Sequence, residues 1–200
     1  MKGTLDLKKL RAHSATPSRW ADIEELFGER GACAGCWCMF WRVPRKQFDA
    51  GKGDTNKRGL RSIVTSGRKP GVIAYVGKEP IGWCAVAPRQ DYVALERSRI
   101  LQPVDKQPVW SVSCLFVKKG YRRQGLSTYL IRAAVKLAAS QGAKVVEGYP
   151  IEPTNNKMAD PFLWHGTLSA FKAAGFHEVA RRAATRPIVQ FLVQTRVKSS

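Results

Sequence analysis

Long hydrophobic runs are missing from this sequence of 200 residues. No stretch approaches the roughly 18 consecutive apolar residues that a membrane helix needs. The opening segment, MKGTLDLKKLRAHS, lacks the apolar core of a secretory signal. We therefore expect a cytoplasmic protein with no membrane partner. The length and the hydrophobic content of 44% fit one domain over residues 1–200.

Acidic residues are also scarce. The chain has 15 of them against 34 lysines and arginines, which gives a net charge of +19. Such an excess suits an anionic ligand or nucleic acid, although solubility alone can account for it. The cations are spread along the chain, and the sequence has no RNP-like aromatic motif, KH loop or zinc-finger pattern. Nucleic acid is thus a partner that the charge allows and that no motif indicates.

Two common nucleotide-binding fingerprints are absent as well. There is no GxxxxGK[ST] loop and no GxGxxG turn. The sequence has instead a strand, a basic turn and a helix in succession. Val109–Val117 is rich in β-branched and aromatic residues, which is typical of a buried strand. Apolar residues at helical spacing follow from Leu126, and Gly142 stands where this helix would end.

The turn between them, residues 118–125, has the chemistry of a phosphate site. A glycine-flanked turn that leads into a helix leaves backbone N–H groups unpaired, and the helix dipole adds about half a positive charge. Arg122 and Arg123 add formal charge, and Ser127 and Thr128 place hydroxyls in the first helical turn. This arrangement predicts binding of a phosphate, preferably a pyrophosphate.

The same stretch resembles the acyl-CoA motif of the GNAT superfamily of N-acyltransferases. The residues that carry the resemblance are Val117, Arg122, Gly125 and Ser127, in the pattern VxxxxRxxGxS. The usual family pattern is [RQ]xxGx[GA], so Ser127 is a departure, though a small residue. A later segment, FKAAGF at residues 171–176, resembles the family's YxxxGF motif at a helix end. The resemblance covers roughly residues 71–191.

The resemblance implies a fold, a cofactor and an activity. The fold is α/β (mixed α+β), with a central, mostly antiparallel sheet of six or seven strands flanked by helices. Acetyl-CoA, as co-substrate, lies where the strands Val109–Val117 and Ala143–Tyr149 splay apart, and its acetyl group moves to a primary amine. A backbone N–H near Leu115 polarises the thioester carbonyl. The cofactor-binding residues implied are Leu115, Phe116, Val117, Arg122, Arg123, Gln124, Gly125, Leu126, Ser127 and Thr128.

The catalytic acid is where the sequence departs from the family. Many members have a tyrosine at the start of YxxxGF, and this chain has Phe171, which has no proton to donate. Tyr149 and His165 are the substitutes that we predict, and a water or direct departure of the thiolate is the alternative. Glu147, on the strand beside the cofactor strand, is the candidate base. A structural salt bridge is an equally good interpretation of Glu147.

The segment from Cys33 to Arg42 combines three cysteines with two tryptophans. Three thiolates without an evident fourth ligand do not indicate a structural zinc site, so we predict no metal. A disulfide is disfavoured in a cytoplasmic chain. An apolar wall beside the acceptor pocket is the favoured interpretation, and a functional thiol is the other. We therefore predict that Trp37, Cys38 and Trp41 line the acceptor pocket. The segment resembles a Cys-Trp-Cys stretch of a GNAT subgroup with no assigned acceptor.

The sequence therefore predicts an acetyl-CoA-dependent N-acetyltransferase, with a small-molecule amine as the favoured acceptor. The alternatives are a CoA-binding module with weak turnover and an RNA-associated acetyltransferase that uses the +19 charge. A monomer and a homodimer are both compatible with the sequence. The local predictions include a strand over Thr4–Arg11, a mobile loop over Arg45–Arg58, a helix from Asp91 to Leu101, and a long loop, suited to a lid, over Pro150–His165.

Overall fold

We analysed a computed structural model, which describes residues 5–152 and 164–194. The helices are α1 (Trp20–Phe27), α2 (Arg45–Ala50), α3 (Asp54–Thr65), α4 (Val93–Glu96), α5 (Leu126–Ser140) and α6 (Leu168–Ala173). The strands are β1 (Leu10–Ser14), β2 (Gly71–Val76), β3 (Glu79–Pro88), β4 (Trp110–Val117), β5 (Val145–Gly148), β6 (His177–Arg181) and β7 (Pro187–Leu192). None of the helices in these ranges is long and apolar enough to cross a membrane.

The seven strands form one sheet in the order β1-β2-β3-β4-β5-β7-β6. Neighbouring strands are antiparallel except for β4 and β5, which are parallel. This confirms the predicted mixed α/β fold with a mostly antiparallel sheet. The β4–β5 pairing extends from Trp110 opposite Val146 to Val112 opposite Gly148. Beyond that point β5 has ended while β4 continues to Val117, so the sheet opens at its centre.

Each face of the sheet is covered by a separate hydrophobic layer. On one face α5 and α6 pack through residues such as Leu130, Ala134 and Phe171, each of which is fully buried. On the other face Ile23 of α1 and Leu60 of α3 pack over the sheet. The faces are set by strand alternation, which a bulge in β4 interrupts, because Val86 pairs with Val112 and Ala85 with Cys114.

Several local predictions were wrong in detail. Residues 7–9 form a 3-10 turn and the first strand is Leu10–Ser14, because it is this segment that pairs with β2. The predicted loop Arg45–Arg58 contains α2 and the start of α3. The packing that holds these helices comes from Phe48, 5% exposed, and from Asn56, whose side chain donates to the carbonyl oxygens of Phe48 and Gly35.

The remaining differences concern element lengths. The helix predicted from Asp91 to Leu101 is limited to the short α4, and β7 ends at Leu192. The last two described strands, β6 and β7, form an antiparallel pair. Most of the loop predicted over Pro150–His165 lies outside the described residues.

Candidate functional site

The turn between β4 and α5 has an open helix N-terminus. Gly125 is the N-cap of α5, in the left-handed conformation with φ of 79°, and no side chain caps the helix. Gly125 is exposed. The Arg122 Nε donates to the carbonyl oxygen of Val117 at 3.0 Å, which ties the turn back to the end of the strand. The first N–H groups of a helix have no partner within it, so this terminus can accept an anion.

The other residues predicted at this turn differ in what their side chains do. Leu126 is 1% exposed and belongs to the core. The Gln124 Oε1 accepts a hydrogen bond from the N–H of Leu5 at 2.6 Å, so the start of the described chain lies against the turn. The Thr128 hydroxyl donates to the carbonyl oxygen of Ala170 at 3.4 Å. The side chains of Leu126, Gln124 and Thr128 thus shape the turn, and its anion-binding capacity comes from backbone groups.

At the opening between β4 and β5, the predicted carbonyl-polarising group has a partner within the chain. The N–H of Leu115 donates to the carbonyl oxygen of Trp164 at 2.6 Å. Trp164 precedes a short connection, residues 165–167. At the end of this connection Thr167 forms a parallel bridge with Ile151. The segment that contains Trp164 therefore occupies the place beside β4 that β5 has left.

An aromatic cluster surrounds this contact. We define it as Phe40, Trp41, Trp164 and His165. The rings of Trp164 and His165 have centroids 3.5 Å apart, and those of Phe40 and Trp164 are 5.1 Å apart. The Trp41 Nε1 donates to the His165 Nε2 at 3.1 Å. Two residues predicted from distant parts of the sequence, Trp41 and His165, thus meet in the structure, whereas Phe40 and Trp164 carried no sequence signal for this site.

His165 is a neutral imidazole held among these rings. It is 5% exposed, and burial, together with the positive charge of Arg186, holds its pKa well below 6.5. The Arg186 Nη1 lies 3.3 Å from the His165 Nδ1. Sequence reasoning did not identify Arg186, because its position next to His165 depends on how the β6–β7 turn folds back on the sheet.

Glu147 and Tyr149 belong to a buried polar network centred on Arg89. They are 1% and 0% exposed, and the Tyr149 hydroxyl donates to the Glu147 Oε1 at 2.7 Å. The Arg89 Nη1 donates to both, at 3.1 Å to Glu147 and 2.7 Å to Tyr149. Gln190 donates to the second oxygen of Glu147 at 2.9 Å, and the Ser111 hydroxyl contacts Tyr149 at 2.7 Å.

The hydrogen bonds of this network restrict what Glu147 and Tyr149 can do. Burial, and then the charge of Glu147, raises the pKa of Tyr149 well above 10.0, so its proton remains on the hydroxyl and points to Glu147. Glu147 is within the last paired residues of β5 and Tyr149 follows the end of that strand, so both lie next to the opening of the sheet. The structural salt bridge considered for Glu147 is present, with Arg89.

Residues of the cysteine-rich segment, Cys33 to Arg42, pack in the core and against β4. Trp37 is 3% exposed and packs against Trp20 and Phe27, so the structure places it in the core. The Cys38 Sγ lies 3.3 Å from the Cys114 Sγ, and Cys114 is next to Leu115 on β4. This hydrogen bond and burial raise the pKa of the Cys38 thiol well above 9.0. In residues 5–152 and 164–194, no three His, Cys, Asp or Glu side chains are placed to hold a metal.

Phe171, at the position where the family often has tyrosine, fills the core behind β5. It is fully buried, and a Cβ added to Gly148 would lie 2.2 Å from its ring. The Phe171 ring therefore packs directly on the backbone of β5. This position contributes packing and no ionisable group.

A model of the acetyltransferase (GNAT) family matches residues 33–163, more than half of the chain. The chain belongs to this family. The match includes β4, the turn and α5, and it confirms the family resemblance and the acetyltransferase class. No curated protein matches the sequence significantly.

Solved structures of GNAT acetyltransferases share the fold at low sequence identity. A mosquito arylalkylamine N-acetyltransferase like 5b is 14% identical with a TM-score of 0.57, over 92% of this chain and 100% of that chain. YncA of Salmonella typhimurium, a putative acetyltransferase solved with its cofactor acetyl-CoA, is 13% identical with a TM-score of 0.53, over 94% and 96%. PaiA N-acetyltransferase of Thermoplasma acidophilum, in complex with coenzyme A, is 10% identical with a TM-score of 0.51, over 92% and 99%.

Proposed function

We propose that this GNAT protein transfers the acetyl group of acetyl-CoA to the primary amine of a small molecule. The observation that carries the proposal is the uncapped N-terminus of α5, which follows β4 after the turn 118–125, together with the separation of β4 from β5 beyond Val112. Such a helix N-terminus suits a pyrophosphate, and the opening suits an extended chain added beside β4. Two similar structures, those of YncA and PaiA, were solved with acetyl-CoA and coenzyme A respectively.

In this proposal the cofactor uses mainly backbone groups of the chain. The pyrophosphate lies against the N–H groups from Gly125 to Thr128, with Arg122 and Arg123 contributing positive charge. The pantetheine arm runs beside β4 past Val117 and Phe116. The thioester carbonyl accepts a hydrogen bond from the N–H of Leu115, in exchange for the present bond to Trp164. One such donor at a developing oxyanion is worth about 3–4 kcal/mol of barrier.

For proton transfer we propose different roles for the three predicted side chains. Glu147 and Tyr149 are buried and fully hydrogen-bonded, so we assign them to positioning β5 at the edge of the opening. His165 lies against Trp164, whose carbonyl meets Leu115, and it remains our candidate for exchanging a proton with the acceptor, through Nε2 once the Trp41 N–H releases that nitrogen. A neutral imidazole is the form that a proton acceptor requires. The departing thiolate takes its proton from water, since Phe171 has none to give.

The acceptor lies, in this proposal, against the aromatic cluster. Trp41 is partly buried and approaches His165 directly, and Cys38 reaches the cofactor strand through Cys114. Aromatic rings in a cleft favour an acceptor with an apolar or aromatic part. One similar structure is that of a mosquito arylalkylamine N-acetyltransferase like 5b, which is in line with this class of acceptor. Nucleic acid stays a prediction from charge alone.

The proposal is tested in two steps with the purified protein. Thermal unfolding with and without acetyl-CoA measures cofactor binding, and we expect stabilisation that increases with concentration. Release of the CoA thiol is then followed with a panel of small amines. The position of Phe171 motivates the second candidate function, a CoA-binding module that lacks turnover. If acetyl-CoA stabilises the protein but no thiol is released, and no label from labelled acetyl-CoA enters any small-molecule fraction of a cell extract, that candidate is favoured. If acetyl-CoA does not stabilise the protein, both candidate functions are refuted.

A further inference from the structure

Arg186 is a partly buried cation at the aromatic cluster. It immediately precedes β7, and its N–H donates to the carbonyl oxygen of Ala183 at 3.0 Å, which closes the turn after β6. Its guanidinium reaches His165, with Nη1 3.3 Å from Nδ1. Through His165 it is in contact with the rings of Trp41 and Trp164. The positive charge is thus held at the acyl end of the proposed cofactor groove.

The contacts of His165 leave one of its two donor neighbours, Trp41 or Arg186, without an acceptor on the ring. Trp41 and Arg186 are both obligate donors, and each faces a different nitrogen of the same imidazole. A neutral imidazole has one acceptor nitrogen only. In the tautomer in which Nε2 accepts from Trp41 at 3.1 Å, Nδ1 carries the hydrogen and faces the Arg186 Nη1 donor to donor at 3.3 Å. Among the residues that the structure describes, the buried Nε atom of Arg186 has no hydrogen-bond partner.

The two fully buried arginines among the described residues, Arg42 and Arg89, have acidic partners. Arg89 pairs with Glu147 and Glu96, and Arg42 lies 3.7 Å from Asp91. In the part of the chain that the structure describes, no carboxylate lies within ion-pair distance of Arg186, and burial lowers its pKa without an opposing acidic group. A buried cation without a partner costs free energy, so a position of this kind is one that an external anion stabilises.

We propose that Arg186 binds a carboxylate of the acceptor, so that the substrate is an amine that also carries a carboxylate group, as an amino acid does. This inference rests on the proposed function. The phosphates of the cofactor have their own site at the N-terminus of α5, whereas Arg186 stands beside His165 at the acyl end. The planar guanidinium presents two N–H groups to the two oxygens of a carboxylate, a geometry that a neutral amine cannot use.

The test compares matched compounds that differ by the carboxylate. Three pairs serve: phenylalanine with phenethylamine, tryptophan with tryptamine, and methionine with 3-(methylthio)propylamine. Their N-acetyl products are titrated into protein saturated with CoA, which measures binding without requiring turnover, and kcat/KM is measured for the amines. We expect at least one pair to favour the carboxylate by about 10- to 100-fold, as one charge-assisted contact provides. Arg186→Gln removes this preference, and Arg186→Lys retains part of it.

The control is Arg182→Gln. Arg182 lies in the same turn, is exposed, and donates to the backbone oxygens of Gln102 and Pro103. It should keep the carboxylate preference, and all variants should bind CoA as the unmodified protein does. The inference is overturned if both members of every pair bind with equal affinity, or if none of the carboxylate compounds binds to the CoA-loaded protein. Either result leaves the proposed function intact. Failure of the unmodified protein to bind CoA refutes the proposed function, and the inference with it.

Discussion

Gly125 and Gly142 stand at opposite ends of α5 and allow a matched test of where the phosphates bind. Both have a positive φ, 79° and 87°, so alanine at either position carries a similar backbone strain. A Cβ at Gly142 meets nothing within 4 Å, and at Gly125 it meets only the Leu7 Cδ1 at 3.6 Å. Neither substitution creates a steric clash in the free protein. The two variants therefore differ in one respect, the proposed contact of Gly125 with the pyrophosphate.

The expected magnitudes follow from these contacts. The left-handed conformation costs a residue with a Cβ about 1–2 kcal/mol. For a protein of this size that corresponds to a fall in melting temperature of about 2–8 °C in both variants. At Gly125 the new methyl group also enters the space of the bound phosphate and obstructs a charge-assisted hydrogen bond worth about 1.5–3 kcal/mol. The dissociation constant of acetyl-CoA should therefore rise about 10- to 100-fold in Gly125→Ala alone.

Isothermal titration of acetyl-CoA into the three proteins, below their melting temperatures, is the assay. Equal loss of stability with a selective loss of affinity in Gly125→Ala is the expected result. Affinity retained in Gly125→Ala to the same degree as in Gly142→Ala would show that the phosphates do not lie at this helix end, and the assignment of the acyl-CoA motif to residues 117–127 would be refuted.

Three further predictions concern stability. Arg89→Met leaves Glu147 buried without its cation and should cost about 3–5 kcal/mol in urea unfolding, with partial recovery when Glu147→Gln is added. Because burial holds the pKa of His165 below 6.5, the unfolded chain gains a proton that the folded protein does not. The free energy of unfolding should thus decrease as the pH falls below about 6.5, and His165→Gln should weaken that dependence. Gly148→Ala brings a methyl group to 2.2 Å from Phe171 and should cost about 1–3 kcal/mol; an unchanged melting temperature would contradict this packing.

The central unit was predictable because local signals agreed there. The apolar run, the glycine-containing turn and the helical period predicted β4, the turn and α5 nearly as they are, and the motif within them identified the family. Asn56 shows the opposite case. Its side chain donates to carbonyl groups of two other segments, so the polar stretch before it, for which the sequence predicts a mobile loop, is helical through tertiary contacts. The periodicity of the sequence does not report such tertiary contacts.

The candidate site was predictable only where a residue type carried its own chemistry. Trp41 and His165 were selected for their ring types, and the fold brings them together. Arg89 and Arg186 were missed, since nothing in the sequence distinguishes them from the other cations of a chain with 34 lysines and arginines. Their roles follow from which carboxylates they meet, or fail to meet, after folding.

In the proposed mode of binding, the Trp164 carbonyl, which accepts a hydrogen bond from the N–H of Leu115 in the free protein, competes with the thioester carbonyl for that N–H. A thioester that takes this N–H must first displace a tethered acceptor, so the apparent affinity of the cofactor is reduced by the fraction of molecules in which the bond is closed. Displacement of Trp164 also moves the ring that packs on His165. The acceptor pocket is then completed only after the cofactor has entered, and steady-state kinetics should show a compulsory order with acetyl-CoA binding first.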